Sequence, residues 1–351
     1  MILKSLRGSG LAAFLVLVMG GSGASVVAEI GPKASGAVTE YQILRRIPKE
    51  RLRALIGNSI PDKDGFVGTN ARAGKWIEAG TQRGSCRTVI YGVVADDLAM
   101  ADDAWRGVEA AFARQLEDGR FEANERPNGA SAKPFGAAVE TSYFFLQEVG
   151  RMVLIIRQSP HEAHFRTRLA ALEPKIRRGM AFVRSGYDSI IEKSTHSVNR
   201  IVIAAKAFGL CGLVLNDQEL IATSRRLVAH ALTRRDEAGV FIEKGGRDSS
   251  YNVVSILFGQ CLALYLPLPD FEAALPKAVA WQLTKIRENG QVDVTGNTRT
   301  GVGREISYFG DPKEVNYGEV VQALTLYGLV KGDQAALAAA DRVFGYWKSS
   351  R

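Results

Sequence analysis

From residue 95 onward, apolar residues recur every third or fourth position through most of the chain. That is the spacing of one helical face. It predicts helices over 95–116, 137–157, 162–184, 197–215, 217–235, 250–266, 271–288, 315–331 and 334–347. Strand-like alternation is nearly absent, and Val89–Val94 (VIYGVV) is the β-like run. Residues 29–60 are mixed in character and predict an irregular lead-in with a short helix over Lys49–Ile56. Residues 61–84, rich in Gly and Asp, read as loops. The expected division is 1–28 as a signal peptide, 29–84 as an irregular N-terminal lead-in, and 85–351 as a helical domain.

Three loop-containing stretches share a layout: Asp118–Leu146, Glu237–Leu257 and Glu288–Val321. Each begins with an acidic residue and a glycine where a helix ends. A short extended piece and a Gly/Asn-rich loop follow. Each closes on Thr, Ser or Asn near a tyrosine (Tyr143, Tyr251, Tyr317) that opens an apolar helix. The glycine fits a helix C-cap, and the small polar residues fit N-caps. Repeated helical hairpins must stack to bury their faces. The expected fold is therefore all-α: hairpins closing into an (α/α) toroid or incomplete toroid, with long loops at one end. An open α-solenoid is the alternative.

The N-terminus changes the picture of where the protein works. Lys4 and Arg7 precede the apolar Leu11–Met19, and the small-residue run Gly20–Ala28 follows, with cleavage points after Ala24 or Ala28. This is the order of a cleavable signal peptide. It predicts a periplasmic or secreted protein with no stable membrane span after cleavage, an uncleaved anchor being the alternative. No other stretch is expected to span a bilayer. The net charge of +8 falls to +6 without Lys4 and Arg7. It suits an anionic partner, and an acidic polysaccharide or oligosaccharide is expected rather than nucleic acid. Cys86, Cys211 and Cys261 provide no disulfide framework, though one bridge is possible. His161 and His164 miss the HExxH spacing. No metal set and no cofactor are expected.

Candidate chemistry lies in four loop clusters. Ser194–Arg200 (STHSVNR) carries His196, Asn199 and Arg200, which share a helix face. Glu243–Tyr251 (EKGGRDSSY) carries Glu243, Arg247, Asp248 and Tyr251. Gly296–Tyr308 carries Asn297, Arg299, Arg304, Glu305 and Tyr308. Lys313–Glu319 carries Asn316, Tyr317 and Glu319. Each has a plain structural alternative as a cap or a packed side chain.

Asn, Arg, His and Tyr together suit β-elimination on a uronic acid polymer. The sugar carboxylate must be neutralised while the adjacent C5 proton leaves, a base must take that proton, and an acid must protonate the departing oxygen. A helical toroid with these residue types on its loops resembles the alginate lyase and heparinase/hyaluronate-type polysaccharide lyases. The stretch VFIEKGGRDSSY resembles loops of carbohydrate-active helical toroids. The order here is His196 then Asn199, where alginate lyases have adjacent Asn and His.

The resemblance implies that Asn199, with Arg200 or Arg247, neutralises the carboxylate. It implies that His196 is a base, and that Tyr251 is the acid or both base and acid. It also implies that the loop Asn297–Arg304 binds polymer. Two alternatives stay open. One is a glycoside hydrolase using Glu243, Asp248 and Glu305. The other is a non-catalytic polysaccharide-binding or scaffold protein.

Overall fold

The computed structural model describes residues 38–130, 133–194 and 196–351. The signal-peptide pattern over 1–28 lies outside the described residues, as do residues 29–37 of the lead-in. Among the described residues the chain is helical, with isolated β-bridges and no strand.

Five long hairpins carry the architecture among the described residues. Their inner helices are α4 (Arg83–Ala95), α6 (Phe135–Gln158), α9 (Val198–Leu215), α11 (Ser249–Ala263) and α13 (Tyr317–Lys331). Their outer partners are α5 (Leu98–Phe112), α7 (Glu162–Ser185), α10 (Gln218–Leu232), α12 (Pro269–Thr284) and α14 (Gln334–Ser349). Each inner helix packs on the next, and α2 (Lys49–Ile56) packs on both α13 and α4, so the inner layer closes on itself. The all-α toroid expected from the repeat is therefore the observed fold, with α2 bridging its last and first hairpins.

The two layers differ as their sequences do. Outer α7 buries Phe165, Leu169, Leu172, Ile176, Met180 and Val183, one stripe at three- and four-residue spacing. Inner α9 and α11 are buried nearly all round. Helix α9 is long and apolar enough to cross a membrane, contrary to the expectation of no second such stretch. Of its residues, 89% are buried in the protein, as in a core helix.

The lead-in differs from its expected irregularity. Helix α2 forms at its expected bounds, Lys49–Ile56, but α1 (Glu40–Leu44), α3 (Gly68–Ala73) and a 3-10 turn at Ala79–Gln82 form as well, and α1 touches both α6 and α13. These further elements are too short for apolar period to announce them. The β-like Val89–Val94 lies inside α4, where full burial overrides the modest helix cost of β-branched residues.

The three repeats share one construction, although their glycines are not helix C-caps. Past α5, α10 and α12 the chain makes a tight turn bridged at Gln115–Phe121, Arg235–Phe241 and Ile286–Val292. Gly119, Gly239 and Gly290 sit in these turns at φ 90°, 82° and 88°. A Cβ on Gly119 would meet the Arg178 carbonyl at 2.2 Å, and one on Gly290 the Arg342 carbonyl at 2.1 Å. Positive φ and contact with the next outer helix together require glycine.

Cys86, Cys211 and Cys261 are all free and buried. Burial pushes the thiols up, to about 12 at Cys211 and about 11 at Cys261. They act as small apolar residues.

Candidate functional site

The N-terminal halves of the five inner helices converge on a cleft of about 670 Å³. Arg83 and Arg87 face it from α4, Glu140 and Phe144 from α6, and Asn199 and Arg200 from α9. Ser250, Tyr251 and Phe258 face it from α11, and Glu319 from α13. Loops add Glu78, Arg126, Arg299, Tyr308, Lys313, Glu314 and Asn316. Six basic side chains (Arg83, Arg87, Arg126, Arg200, Arg299, Lys313) thus meet four carboxylates (Glu78, Glu140, Glu314, Glu319). Convergent helix N-termini add positive potential of their own. The lining is polar, and its cations outnumber its carboxylates.

The wall around Tyr251 is held by three buried acidic or amide side chains. Asp248 caps α11 by accepting from the Ser250 and Tyr251 N–H groups, each at 3.0 Å. Its other oxygen accepts from the Arg299 and Thr300 N–H groups, each at 2.9 Å. Asn297 accepts from the Ser249 N–H at 2.9 Å and donates to the Ser249 hydroxyl at 3.0 Å. Glu243 accepts from the Asn199 N–H at 2.7 Å, which caps α9 from a distant segment, and from the Arg299 guanidinium at 2.8 Å. Burial pushes the Glu243 carboxyl up to about 7, against the pull of Arg299 and the Asn199 N–H.

None of these three lines the cleft. They are structural supports rather than ligand-binding groups, because their oxygens are spent on backbone and on Arg299. Asp248→Ala is therefore expected to cost about 3 kcal/mol, combining a lost cap with buried N–H groups left unpaired. Urea unfolding of variant and parent measures this.

Arg299 is nearly fully buried. It makes paired hydrogen bonds to Glu305 at 3.1 and 3.2 Å, and its guanidinium lies 3.7 Å from the Tyr251 ring centroid. Burial works against its charge, yet Tyr251, Glu305 and Glu243 hold its pKa above the ordinary arginine value. Lys244 and Lys313 also pair with Glu305. Burial would raise the Glu305 carboxyl, but these cations hold it well below the ordinary carboxylate range.

The two cleft tyrosines differ. The Tyr308 hydroxyl donates to Glu78 at 3.0 Å, and Arg126 pairs with the same carboxylate at 2.6 Å. Burial and Glu78 raise the Tyr308 pKa. The Tyr251 hydroxyl makes no hydrogen bond among the described residues. Asn199 is likewise unspent: its carboxamide has no partner there, and Oδ1 is buried. Arg200 pairs with Glu140 at 3.4 Å, and Arg87 with Glu319 at 3.6 Å.

Beneath the cleft floor runs a buried ion network. The Lys206 ammonium, fully buried, donates to Gln147 at 2.6 Å and to Glu148 at 3.1 Å. Glu148 also meets Arg151 and Arg87, both at 3.4 Å. Arg151 continues to Glu40 of α1 at 2.7 Å, and the Tyr265 hydroxyl donates to Glu40 at 2.8 Å. Burial alone would raise the Glu148 carboxyl, but Lys206, Arg151 and Arg87 hold it well below the ordinary range.

A carboxylate whose folded pKa is depressed contributes stability above its unfolded pKa and loses it as pH falls. Glu148 and Glu305 both have this sign, so their contribution is lost as pH drops below about 4.5. Glu243 has the opposite sign, its contribution falling as pH rises from about 4.5 to about 7. Denaturant midpoints measured across this range are expected to fall steeply on the acid side. Glu305→Gln is expected to shallow that fall.

Of the residues singled out in the sequence, the cleft brings together Asn199, Arg200, Tyr251, Arg299, Tyr308, Asn316 and Glu319. Several others lie outside it. His196 is exposed, and its carbonyl accepts from the Lys244 N–H where Ser197 and Glu243 form a bridge. Arg247 pairs with Asp236 and lies against Trp281 on the outside. Arg304 is exposed, and Tyr317 packs on Tyr346. Glu305 sits behind Arg299. The expected roles of His196 as base and Arg247 as carboxylate partner do not fit these positions. Sequence reasoning missed Arg83, Arg87, Arg126, Glu78 and Glu140. Arg83 and Arg87, four apart at the start of an apolar helix, were the available signal.

No family model matches the chain, and no curated protein matches it. Among solved structures the chain is similar to the chondroitin AC lyase of Streptomyces coelicolor A3 in complex with chondroitin sulphate. The identity is 13% and the TM-score 0.49, over 88% of this chain and 42% of the lyase. It is also similar to the unsaturated glucuronyl hydrolase of Bacillus sp. GL1, at 14% identity and TM-score 0.38, over 83% of this chain and 95% of the hydrolase. The chain spans about two fifths of the lyase's length. These likenesses are too distant to bring an activity or a residue role to this chain.

Proposed function

We propose that the protein is an exported polysaccharide lyase that cleaves a uronate-containing polymer by β-elimination in this cleft. The observation that carries the reading is the pair Tyr251 and Asn199. Both face the cleft with side-chain polar groups unspent on the protein, while three of the four cleft carboxylates, Glu78, Glu140 and Glu319, are each held by an arginine, which leaves the exposed Glu314 alone without one among the described residues. A hydrolase needs two carboxyl groups free to act as acid and base, and arginine-bound carboxylates suit that task poorly. Glu243 and Asp248, offered for it by the sequence, are committed to backbone and Arg299.

Asn199 and Arg200, on the first turn of α9, would bind the uronate carboxylate and favour charge build-up as the C5 proton leaves. Tyr251, acting as its phenolate, takes that proton on its oxygen, and the C–H electron pair forms the C4–C5 double bond as the C4–O bond to the departing glycosidic oxygen breaks. The phenol so formed then returns the proton to the departing oxygen, which regenerates the phenolate. Arg299 and Lys313 lie 3.7 and 5.6 Å from the centroid of its ring, so charge developing there is met by cations. His196 and Arg247 have no part in this scheme.

The test is near-ultraviolet absorbance during incubation with a panel of acidic polysaccharides. A rise with one polymer is expected, because elimination creates an unsaturated uronate. New reducing ends without absorbance would replace elimination with hydrolysis. Binding without either product would leave a binding protein.

A further inference from the structure

Arg83 is the first residue of α4, and its guanidinium faces the cleft. It donates to the Gly80 carbonyl at 3.2 Å and lies 5.3 Å from the Phe144 ring centroid. These contacts fix its direction without neutralising it. Among the described residues no carboxylate lies within ion-pair distance of Arg83, whereas Arg87, Arg126, Arg200 and Arg299 each have one. Arg87, one turn along α4, faces the same space, with its own charge met by Glu148 and Glu319.

Burial and the neighbouring Arg87 push the Arg83 pKa down, and more distant carboxylates do not compensate. Holding a guanidinium in a recess without a counter-charge is unfavourable, and an entering anion relieves it. Arg83 is also set apart from the reacting carboxylate: α6 stands between α4 and α9 in the ring.

We propose that Arg83 is a second anion subsite, which takes a carboxylate or sulfate ester on a sugar adjacent to the one cleaved. The favoured substrate then carries anionic groups on neighbouring units rather than one isolated uronate. This rests on the elimination reading for the place of cleavage, but anion binding at Arg83 is measurable without turnover.

The experiment titrates the mature protein with inorganic sulfate and with a short uronate oligosaccharide, followed by calorimetry. Arg83→Gln is expected to weaken binding of the matching probe by at least roughly tenfold, the scale of one charge-assisted hydrogen bond. Arg83→Lys is expected to recover part of it, and Arg178→Gln on the outer helix to leave it unchanged. Loss with sulfate assigns a sulfate ester, and loss with the oligosaccharide alone assigns a carboxylate. In turnover, Arg83→Gln is expected to raise KM roughly tenfold on the preferred polymer with kcat within about twofold.

Equal affinity of parent and Arg83→Gln for both probes overturns the subsite, even where elimination is observed. Arg83-dependent anion binding with no elimination of any uronate polymer keeps the anion site and removes the lyase reading.

Discussion

Tyr251→Phe will lower kcat on the true substrate by roughly a thousandfold or more, with KM changed little. The estimate follows from general acid–base catalysis contributing about 10²–10⁴ per positioned group; here one hydroxyl serves in both directions. The substitution removes a single oxygen that makes no hydrogen bond within the protein, and it keeps the ring on which Arg299 lies. Folding and substrate binding are therefore expected to survive, so steady-state kinetics report the chemistry alone. Asn199→Ala provides the companion measurement. If Asn199 stabilises charge only as the proton leaves, kcat and kcat/KM fall together. Full activity in Tyr251→Phe would remove that residue from the reaction and return attention to the cleft carboxylates.

The second large effect concerns the floor. Glu148→Gln will destabilise the protein by about 3–5 kcal/mol, because it leaves the buried Lys206 and Arg151 and the half-buried Arg87 without their shared counter-charge. Equilibrium unfolding in denaturant measures this directly. The matched control is Glu219→Gln, which breaks the exposed pair with Arg184 and is expected to cost under about 1 kcal/mol. Loss at Glu148 is also expected to reach function. Arg87 connects the network to Glu319 and the cleft, so a variant that still folds would hold its floor less rigidly.

Much of the fold was legible because each layer of the ring has its own apolar pattern. The stripe of α7 and the nearly continuous apolar runs of α9 and α11 are both unmistakably helical. The repeat of acidic residue, glycine and loop marked the turns, since Gly119, Gly239 and Gly290 occupy the same place in three hairpins. Their role as tight-turn residues rather than C-caps needed the neighbouring outer helix, which lies about sixty residues on in the case of Gly119 and Arg178. Helix α1 was obscure for a different reason. The burial of its Glu40 depends on Arg151 and Tyr265, far along the chain.

The site divided along the same line. Asn199, Arg200 and Tyr251 lie in the first turns of inner helices, so loop-to-helix junctions pointed to them. His196 falls just before the start of α9, where its carbonyl is used in a bridge and its side chain turns outward. Asp248 looked chemical because it is acidic and lies beside a tyrosine, but its two oxygens fasten five groups, four backbone N–H groups and the Thr300 hydroxyl. Glu78 gave no local sign at all. Its partner Tyr308 is 230 residues away in sequence, and only the closed ring brings them together.

The central claim is elimination in this cleft, and the mass of the products tests it most directly. The protein is incubated with the panel of acidic polysaccharides, and the released oligosaccharides are weighed. The account predicts fragments with an unsaturated end, one water lighter than hydrolytic fragments, formed by the parent and absent with Tyr251→Phe. Fragments of full hydrolytic mass, or light fragments formed undiminished by Tyr251→Phe, would contradict it.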